Sequence, residues 1–468
     1  MTAESGSGAV VSAVASESGA AAFAADEGLV RAIGLGSAIL FVIGSVIGSG
    51  IFLTTGGMAA LIPSASLLLL AWTLGGVLAL AGGLTYAEMG AMFPRSGGVY
   101  VFLKEAYGTL PAFLYGWAAL TVVISGGIAA VAVGFAEYLS YFIPALSPSR
   151  VVVSMAGVSI SAGQLVAAAA IVVLGAINYV GVRSGNLVNA TLTAAKVAGL
   201  AALPILALMS ARVDPSFTPV IPPVPRPVAS FGIAMIAVLW TYEAWYFVTY
   251  AAGEIKDPKR NVPRALFIGI LLLTSIYLVV NVAYFYALTI EEMSGVTRIA
   301  ERAASAMAGP RGATFVALTV VVSTFGCNAA AILAGSRLLF AMASDGVFFP
   351  AARRVHLQYR TPHVAIVALT VWSAILALSG TYEQLFTYVM FASILFSVAA
   401  GFALFQLRRT RPDHPRPYRT WGYPAVPLLF ILGSMSFVTN TLFERPTESL
   451  AGLGLVALGL PAYWYWRR

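Results

Sequence analysis

Charge is scarce in this chain: Asp, Glu, Lys and Arg make up 10% of its 468 residues, whereas soluble domains carry roughly 25%. A chain this poor in charge belongs in lipid rather than in water. Cysteine is scarcer still. Cys327 stands alone, so no intrachain disulfide can form and the redox compartment leaves no trace. The three histidines, His356, His363 and His414, fall in loops or at their edges without metal-ligand spacing. No phosphate loop, nucleophile elbow or paired-carboxylate site is present, so neither catalysis, a cofactor nor a metal is expected. Basic residues exceed acidic ones, giving a net charge of +8. They are spread over short loops instead of gathered on one domain, which argues against a nucleic-acid partner. Residues 1–30 hold Glu4, Glu17, Asp26 and Glu27 and no basic residue. They lack the positive start of a signal peptide and read as a disordered cytoplasmic tail.

What the chain has instead is apolar surface, at 59% of residues, with a mean hydropathy of +0.87. Apolar runs fall at 34–62, 66–92, 110–143, 162–181, 185–209, 230–253, 265–289, 313–343, 363–380, 382–407, 424–442 and 449–466. A bilayer crossing needs about 20 such residues, and backbone amides in hydrocarbon must be satisfied within the segment. The reading is therefore an all-α polytopic membrane protein with twelve transmembrane helices. Residues 143–162 are read as an external loop with a short apolar dip. With the N-terminus inside, nineteen of the 27 Lys and Arg residues fall in internal segments, seven in external ones, and Lys196 within a span. Positive charge stays cytoplasmic, so a multi-pass protein of the inner (plasma) membrane, surrounded by lipid and with both termini cytoplasmic, is expected. Trp464 and Trp466 read as interfacial belt residues.

Two spans look interrupted. The first contains Gly44-Ser45-Val46-Ile47-Gly48-Ser49-Gly50-Ile51-Phe52, and the sixth contains Trp240-Thr241-Tyr242-Glu243-Ala244-Trp245. Five spans apart, they lie in the membrane with opposite orientation, and paired discontinuous helices point to a transporter's substrate site. The competing reading is close helix packing through glycine. Three glycines within seven residues make a helix costly and permit extended backbone. Unwinding there frees the amides of Gly48, Ser49, Gly50 and Ile51 at a half-helix N-terminus, which suits a carboxylate. Freed carbonyls in the sixth span suit an ammonium group. An anion cradle facing a cation cradle matches an α-amino acid.

Three segments carry a resemblance. Gly48-Ser49-Gly50-Ile51-Phe52 resembles the GSGIF signature of the amino acid–polyamine–organocation superfamily. Tyr86-Ala87-Glu88-Met89-Gly90-Ala91-Met92-Phe93-Pro94-Arg95-Ser96-Gly97-Gly98 resembles its segment at the end of the second span. Gly253-Glu254-Ile255-Lys256-Asp257-Pro258-Lys259-Arg260-Asn261-Val262-Pro263-Arg264 resembles the loop after its sixth span. Within the superfamily the chain is most similar to bacterial relatives of the L-type amino-acid transporters. The resemblance implies a LeuT-like five-plus-five inverted repeat with discontinuous helices 1 and 6. It places the first repeat at 31–209, the second at 210–407, and helices 11 and 12 at 408–468. Ile47, Gly48, Ser49, Gly50 and Ile51, with Trp240, Thr241, Tyr242 and Glu243, become the substrate-binding set, Trp240 standing where an aromatic covers the substrate. Animal members often carry Gly where this chain has Glu243 and Ala244, and a carboxylate there speaks against a large hydrophobic pocket. The loop between spans 3 and 4 lacks the cysteine of heavy-chain-linked relatives, so no disulfide-linked heavy chain is expected.

Lys196 is the only basic residue in the middle of a span, and an intramembrane charge is a functional hypothesis by default. It resembles a lysine of sodium-independent family members whose ammonium replaces a bound sodium ion against span 1; otherwise it snorkels to an interface. Glu243 can contact the substrate ammonium, carry a proton, or bond hydroxyls while protonated. Glu88 reads as an interfacial helix-end carboxylate binding nearby amides, and Asn328, Ser323 and Thr324 as core-lining or interhelical polar groups. The expected function is transport of small neutral amino acids by alternating access, as a sodium-independent exchanger or a proton-coupled symporter. A cationic amino-acid or polyamine carrier is the runner-up. An enzyme would need convergent catalytic residues and a receptor a soluble signalling domain, and neither is evident.

Overall fold

The computed structural model describes residues 31–155, 158–221, 224–444 and 446–466; the tail assigned to residues 1–30 lies outside them. The chain enters α1 (Leu35–Val46), breaks, and continues as α2 (Gly50–Leu61). We call the end where α1 begins the near end and the opposite one the far end. Helix α3 (Ala65–Met92) returns to the near end, where α4 (Val99–Tyr107) caps the bundle. Helix α5 (Thr109–Phe142) crosses again, with a π turn at Ala119–Val123. The strands β1 (Val151–Met155) and β2 (Val158–Ser161) then form an antiparallel pair at the far end. This corrects the loop reading of 143–162: the apolar dip is a β-branched Val151-Val152-Val153 run, which suits a strand. Helices α6 (Ala162–Val180) and α7 (Val182–Met209) follow. The second interrupted segment is α8 (Pro227–Tyr242), an irregular turn, and the four-residue α9 (Phe247–Tyr250).

Helix α10 (Pro258–Ala287) leads to the short α11 (Ile290–Met293) and then α12 (Ile299–Ser344), which kinks at Gly309. Helices α13 (His363–Ala377), α14 (Tyr382–Thr410) and α15 (Ala425–Glu444) complete the bundle. The last run is not continuous but splits into α16 (Pro446–Ala457) and α17 (Gly459–Trp466). Nine helical segments among the described residues are long and apolar enough to cross a membrane; α8 and α13 are apolar but shorter. Capping boxes at Ser161/Gln164, Thr289/Glu292 and Thr381/Gln384 start three helices at the far end, each satisfying two orphan amides.

The burial pattern is that of a protein in lipid. Leu70, Leu74 and Val77 on α3, Leu271 and Val279 on α10, and Val367, Val371 and Ile375 on α13 point outward. Polar groups turn inward: Thr85, Glu88, Lys196, Asn281, Ser323, Thr324 and Arg337 are buried. In hydrocarbon this inversion follows from the cost of a polar group without a partner.

Charges seal the near end. Ile33 forms a parallel bridge to Ile255, and beside it Arg337 donates to Glu254 through Nε at 2.7 Å and Nη2 at 3.4 Å. Glu88 is wholly buried and takes a fork from Arg408 at 3.0 and 2.7 Å, the Thr420 amide at 2.6 Å, and Arg416 at 3.4 Å. Sequence reading made it an interfacial helix-end carboxylate binding nearby amides; the Thr420 amide is such a partner, but the carboxylate is buried rather than interfacial. The arginines of α14 and the loop after it fold over the helix end, and only their positive charge permits a buried carboxylate there. Lys104 pairs with Asp345 at 2.5 Å and Glu105 with Arg95 and Arg411. Burial and the Asp345 carboxylate hold the Tyr100 hydroxyl well above its ordinary pKa, so it donates to Asp345, at 2.8 Å.

Removing one partner from a buried pair strands the other charge. Arg337→Met is expected to cost about 3–5 kcal/mol, read as a lower apparent melting temperature in detergent. The double change Arg337→Met with Glu254→Gln should recover most of that loss; a double variant no more stable than the single one counts against the pair.

Candidate functional site

Helix α1 stops because Gly44, Gly48 and Gly50 fall within seven residues, where helical geometry is least favoured. The Ile47 amide still reaches Ile43 O at 2.9 Å, and the Gly48 amide turns back to Val46 O at 2.7 Å. The amides of Ser49, Gly50 and Ile51 then meet no acceptor among the described residues, and the ladder resumes with Phe52 to Ser49 O. The row of free donors is thus three long, not the four expected, because Gly48 spends its own in the turn. These donors stand at the positive end of the 12-residue α2.

The carbonyls on the other side of the break are all claimed. Lys196 Nζ, fully buried on α7, donates to Gly44 O and Ile47 O, each at 2.9 Å. Ser323 Oγ reaches Ile47 O at 3.0 Å and Cys327 Sγ reaches Ser45 O at 3.0 Å, both from α12. Tyr277 Oη on α10 lies 3.3 Å from Val46 O and 3.2 Å from Thr241 O, and Tyr284 Oη lies 3.0 Å from Ile51 O.

The second break begins where α8 ends at Tyr242. Glu243 is extended, and Ala244 takes a left-handed φ of 73°, a conformation that costs a non-glycine residue about 1–2 kcal/mol. The carbonyls of Tyr242 and Glu243 accept no hydrogen bond among the described residues. Glu243 Oε1 accepts from Tyr246 Oη and from Ser393 Oγ, both at 2.5 Å, while Oε2 has no hydrogen-bond partner among the described residues.

The two breaks meet across a small cavity of about 50 Å³ whose wall includes Gly48, Ser49, Gly50, Trp240, Thr241 and Glu243. Three residues expected in the site lie outside this wall. Ile47 and Ile51 offer their carbonyls to Lys196 and Tyr284 instead. Tyr242 turns away to donate to Trp72 O at 3.1 Å and packs on Trp72 and Tyr277. Lys196 also lies outside the cavity, behind the α1 break. A larger cavity of about 740 Å³ opens toward the far end. Between the two sits a lid one side chain thick. Trp240 stacks on Phe386 at 5.8 Å, and its Nε1 donates to Tyr382 Oη at 2.9 Å; Ser49 Oγ donates to the same oxygen at 3.2 Å. Sequence reading missed Tyr382, Phe386 and Ser393, which lie on a helix without glycine interruption or buried charge to mark them.

This geometry agrees with what the whole chain resembles. A family model described as amino acid permease matches residues 33–453. The chain belongs to the amino acid permease family. It is 32% identical over 442 residues to the serine/threonine exchanger SteT of Bacillus subtilis (strain 168), covering 94% of this chain and 97% of that protein. The human b(0,+)-type amino acid transporter 1 is 31% identical over 423 residues, 90% of this chain and 84% of its own. The human large neutral amino acids transporter small subunit 2 is 30% identical over 455 residues, 94% and 81% respectively. This permease is therefore a multi-pass membrane protein, and its matched relatives are transporters rather than enzymes.

The breaks are pressed together at one point. A Cβ on Gly50 would lie 2.4 Å from Thr241 Oγ1. Gly50→Ala should therefore destabilise the permease by about 1–3 kcal/mol through overpacking. Thr241→Ala, which removes the closest atom, should recover part of the loss. Melting temperatures of the two single variants and the double give the coupling; simple additivity would refute direct contact.

Proposed function

We propose that this permease is a sodium-independent exchanger of small neutral amino acids working by alternating access. One observation carries the reading: a buried lysine ammonium bonds the carbonyls of a helix break whose other side presents three free amides. Those amides and the α2 dipole suit the substrate carboxylate, and the unclaimed carbonyls of Tyr242 and Glu243 suit its ammonium. Lys196 supplies, as a fixed charge, what a bound sodium ion would otherwise supply to the carbonyls. The small cavity, narrowed by Trp240 and Glu243, favours short side chains. Exchange accords with the name of the Bacillus relative, a serine/threonine exchanger.

Twelve spans accommodate the chain when α8 with α9, α13, and α16 with α17 each count as one. We read them as a five-plus-five inverted repeat at 31–209 and 210–407, with 408–468 outside it. The near end is assigned to the cytoplasm of the inner membrane, since Arg337, Arg408, Arg411 and Arg416 gather there. The 740 Å³ cavity then faces outward, the charged near end is the closed gate, and Trp240, Tyr382 and Phe386 form the thin outer lid. No disulfide-linked heavy chain is part of this reading, since Cys327 is buried in the core. A second reading, a cationic substrate, draws on the unpaired Oε2 of Glu243.

Uptake into proteoliposomes tests these together. Labelled serine should enter faster when unlabelled small amino acids are loaded inside, and replacing sodium by potassium or choline at constant pH should change nothing. Lys196→Ala should lower turnover about tenfold or more, since removing one partner of a buried charged bond costs upwards of about 1.5 kcal/mol. A saturable sodium requirement would overturn the role of Lys196, phenylalanine outcompeting serine would overturn the size argument, and arginine outcompeting both would favour the second reading.

A further inference from the structure

We propose that Asn328 is the residue that reads the substrate side chain, selecting one that carries a hydroxyl. The proposal rests on the reading above, in which a small amino acid sits on the amides of Ser49, Gly50 and Ile51. Asn328 lies on α12 in the wall of the small cavity and is 2% exposed. Its Oδ1 is enclosed and has no hydrogen-bond partner, and its amide nitrogen makes no bond among the described residues. Nearly every buried polar group in a protein is paired, and leaving one unpaired costs far more than a paired bond gains.

The neighbours of Asn328 make the exception sharper. Ser323, Thr324 and Cys327 are also buried polar groups of α12, and each has an acceptor: Ile47 O, Val320 O and Ser45 O. Cys327 fixes the register, because its Sγ lies where a Cβ on Gly48 would come within 2.9 Å. Asn328 is therefore held one residue from a contact with the α1 break. The rest of that side of the wall is apolar, with Ile128, Val131, Ala331 and Val389. Glu243, the carboxylate in the same wall, has its Oε1 already taken by Tyr246 and Ser393.

Chemistry and size then narrow the ligand. A side-chain amide both donates and accepts, and so does a hydroxyl. A cavity of about 50 Å³ holds only a few non-hydrogen atoms, since one water takes roughly 10–15 Å³ on this measure. A short hydroxylated side chain satisfies Asn328 and fits, whereas a methyl group of the same size leaves the amide unpaired. Sites built around a hydrogen bond to substrate reject the analogue lacking it far better than apolar pockets reject an added methyl.

The experiment compares matched pairs in proteoliposomes of the full chain. Serine should compete with labelled serine about tenfold or more better than alanine, and threonine better than valine by a similar factor, for a bond worth about 1.4 kcal/mol. In Asn328→Leu both ratios should fall toward one, and Asn328→Gln should restore part of them. Because each ratio is taken within one protein, expression and folding yield cancel. Thermal stabilisation of the unaltered protein by serine against alanine gives the same comparison without any variant. Equal competition by serine and alanine, or an undiminished preference in Asn328→Leu, would overturn the role of Asn328 while leaving amino-acid transport standing. Absence of any uptake of labelled serine would overturn the small-neutral-amino-acid reading and this inference with it.

Discussion

The ammonium of Lys196 bonded to Gly44 O and Ile47 O is the contact on which the site depends. Opening a helix inside a bilayer releases donors and acceptors that water would otherwise satisfy, and each costs free energy if left alone. This permease treats the two sides of its first break differently. Every carbonyl near the break is bonded, by Lys196, Ser323, Cys327, Tyr277 and Tyr284. Three amides are left open. A break satisfied on its acceptor side and vacant on its donor side suits an anion, as the proposed function requires. The fixed positive charge behind it adds to the α2 dipole instead of opposing it.

The same bonds tie the break to four helices at once. Lys196 comes from α7, Ser323 and Cys327 from α12, Tyr277 and Tyr284 from α10, and Thr241 presses on Gly50 from α8. Any rearrangement of α1 and α2 must therefore move or break contacts on each of them, as alternating access requires. The two gates differ in kind. The near end is held by ion pairs involving Glu254, Glu88, Asp345 and Glu105, and losing one partner costs most where both are buried. Above the small cavity the far end is held by two hydrogen bonds to one tyrosine oxygen and one aromatic stack. On the proposed reading the outer lid opens by turning a few side chains, while the inner gate opens only by separating charged helices, so the two motions have unequal barriers.

Much of this was legible in the sequence because membrane folding writes large signals. Apolar runs located most of the long helices, though α10 and α12 begin 7 and 14 residues earlier than their runs, and the glycines around Ser49 located the first break. Lys196 stood out as a charge where hydrocarbon tolerates none. What was not legible was what folding alone assembles. Tyr382 and Phe386 become a lid only because α14 passes above Trp240. Glu88 could not be told from an interfacial carboxylate until the loop after α14 laid Arg416 and the Thr420 amide over it. Gly48 was counted as a free donor because the sequence reveals that a helix breaks but not which amides the turn consumes. The hairpin at Val151 was hidden for a similar reason: a short apolar stretch fits a dip in a loop as well as a strand.

The division between main chain and side chain also orders the site. On the proposed reading, backbone amides of α2 and backbone carbonyls beyond α8 face the parts that every α-amino acid shares, so they require glycine and an unusual turn more than any particular side chain. That explains a left-handed Ala244 beside the extended Glu243, a conformation whose cost of about 1–2 kcal/mol persists only where the surroundings demand it. On the same reading, recognition of what differs between amino acids falls chiefly to Trp240, Glu243 and Asn328 in the cavity wall. Each is fixed in a different way. Trp240 is held by Tyr382 and Phe386, Glu243 by Tyr246 and Ser393, and Asn328 only by the helix that carries it. The one left without a partner is the one whose bonding changes most when a ligand arrives. Selectivity in this permease is therefore expected to be concentrated on α12, a helix that takes no part in either break.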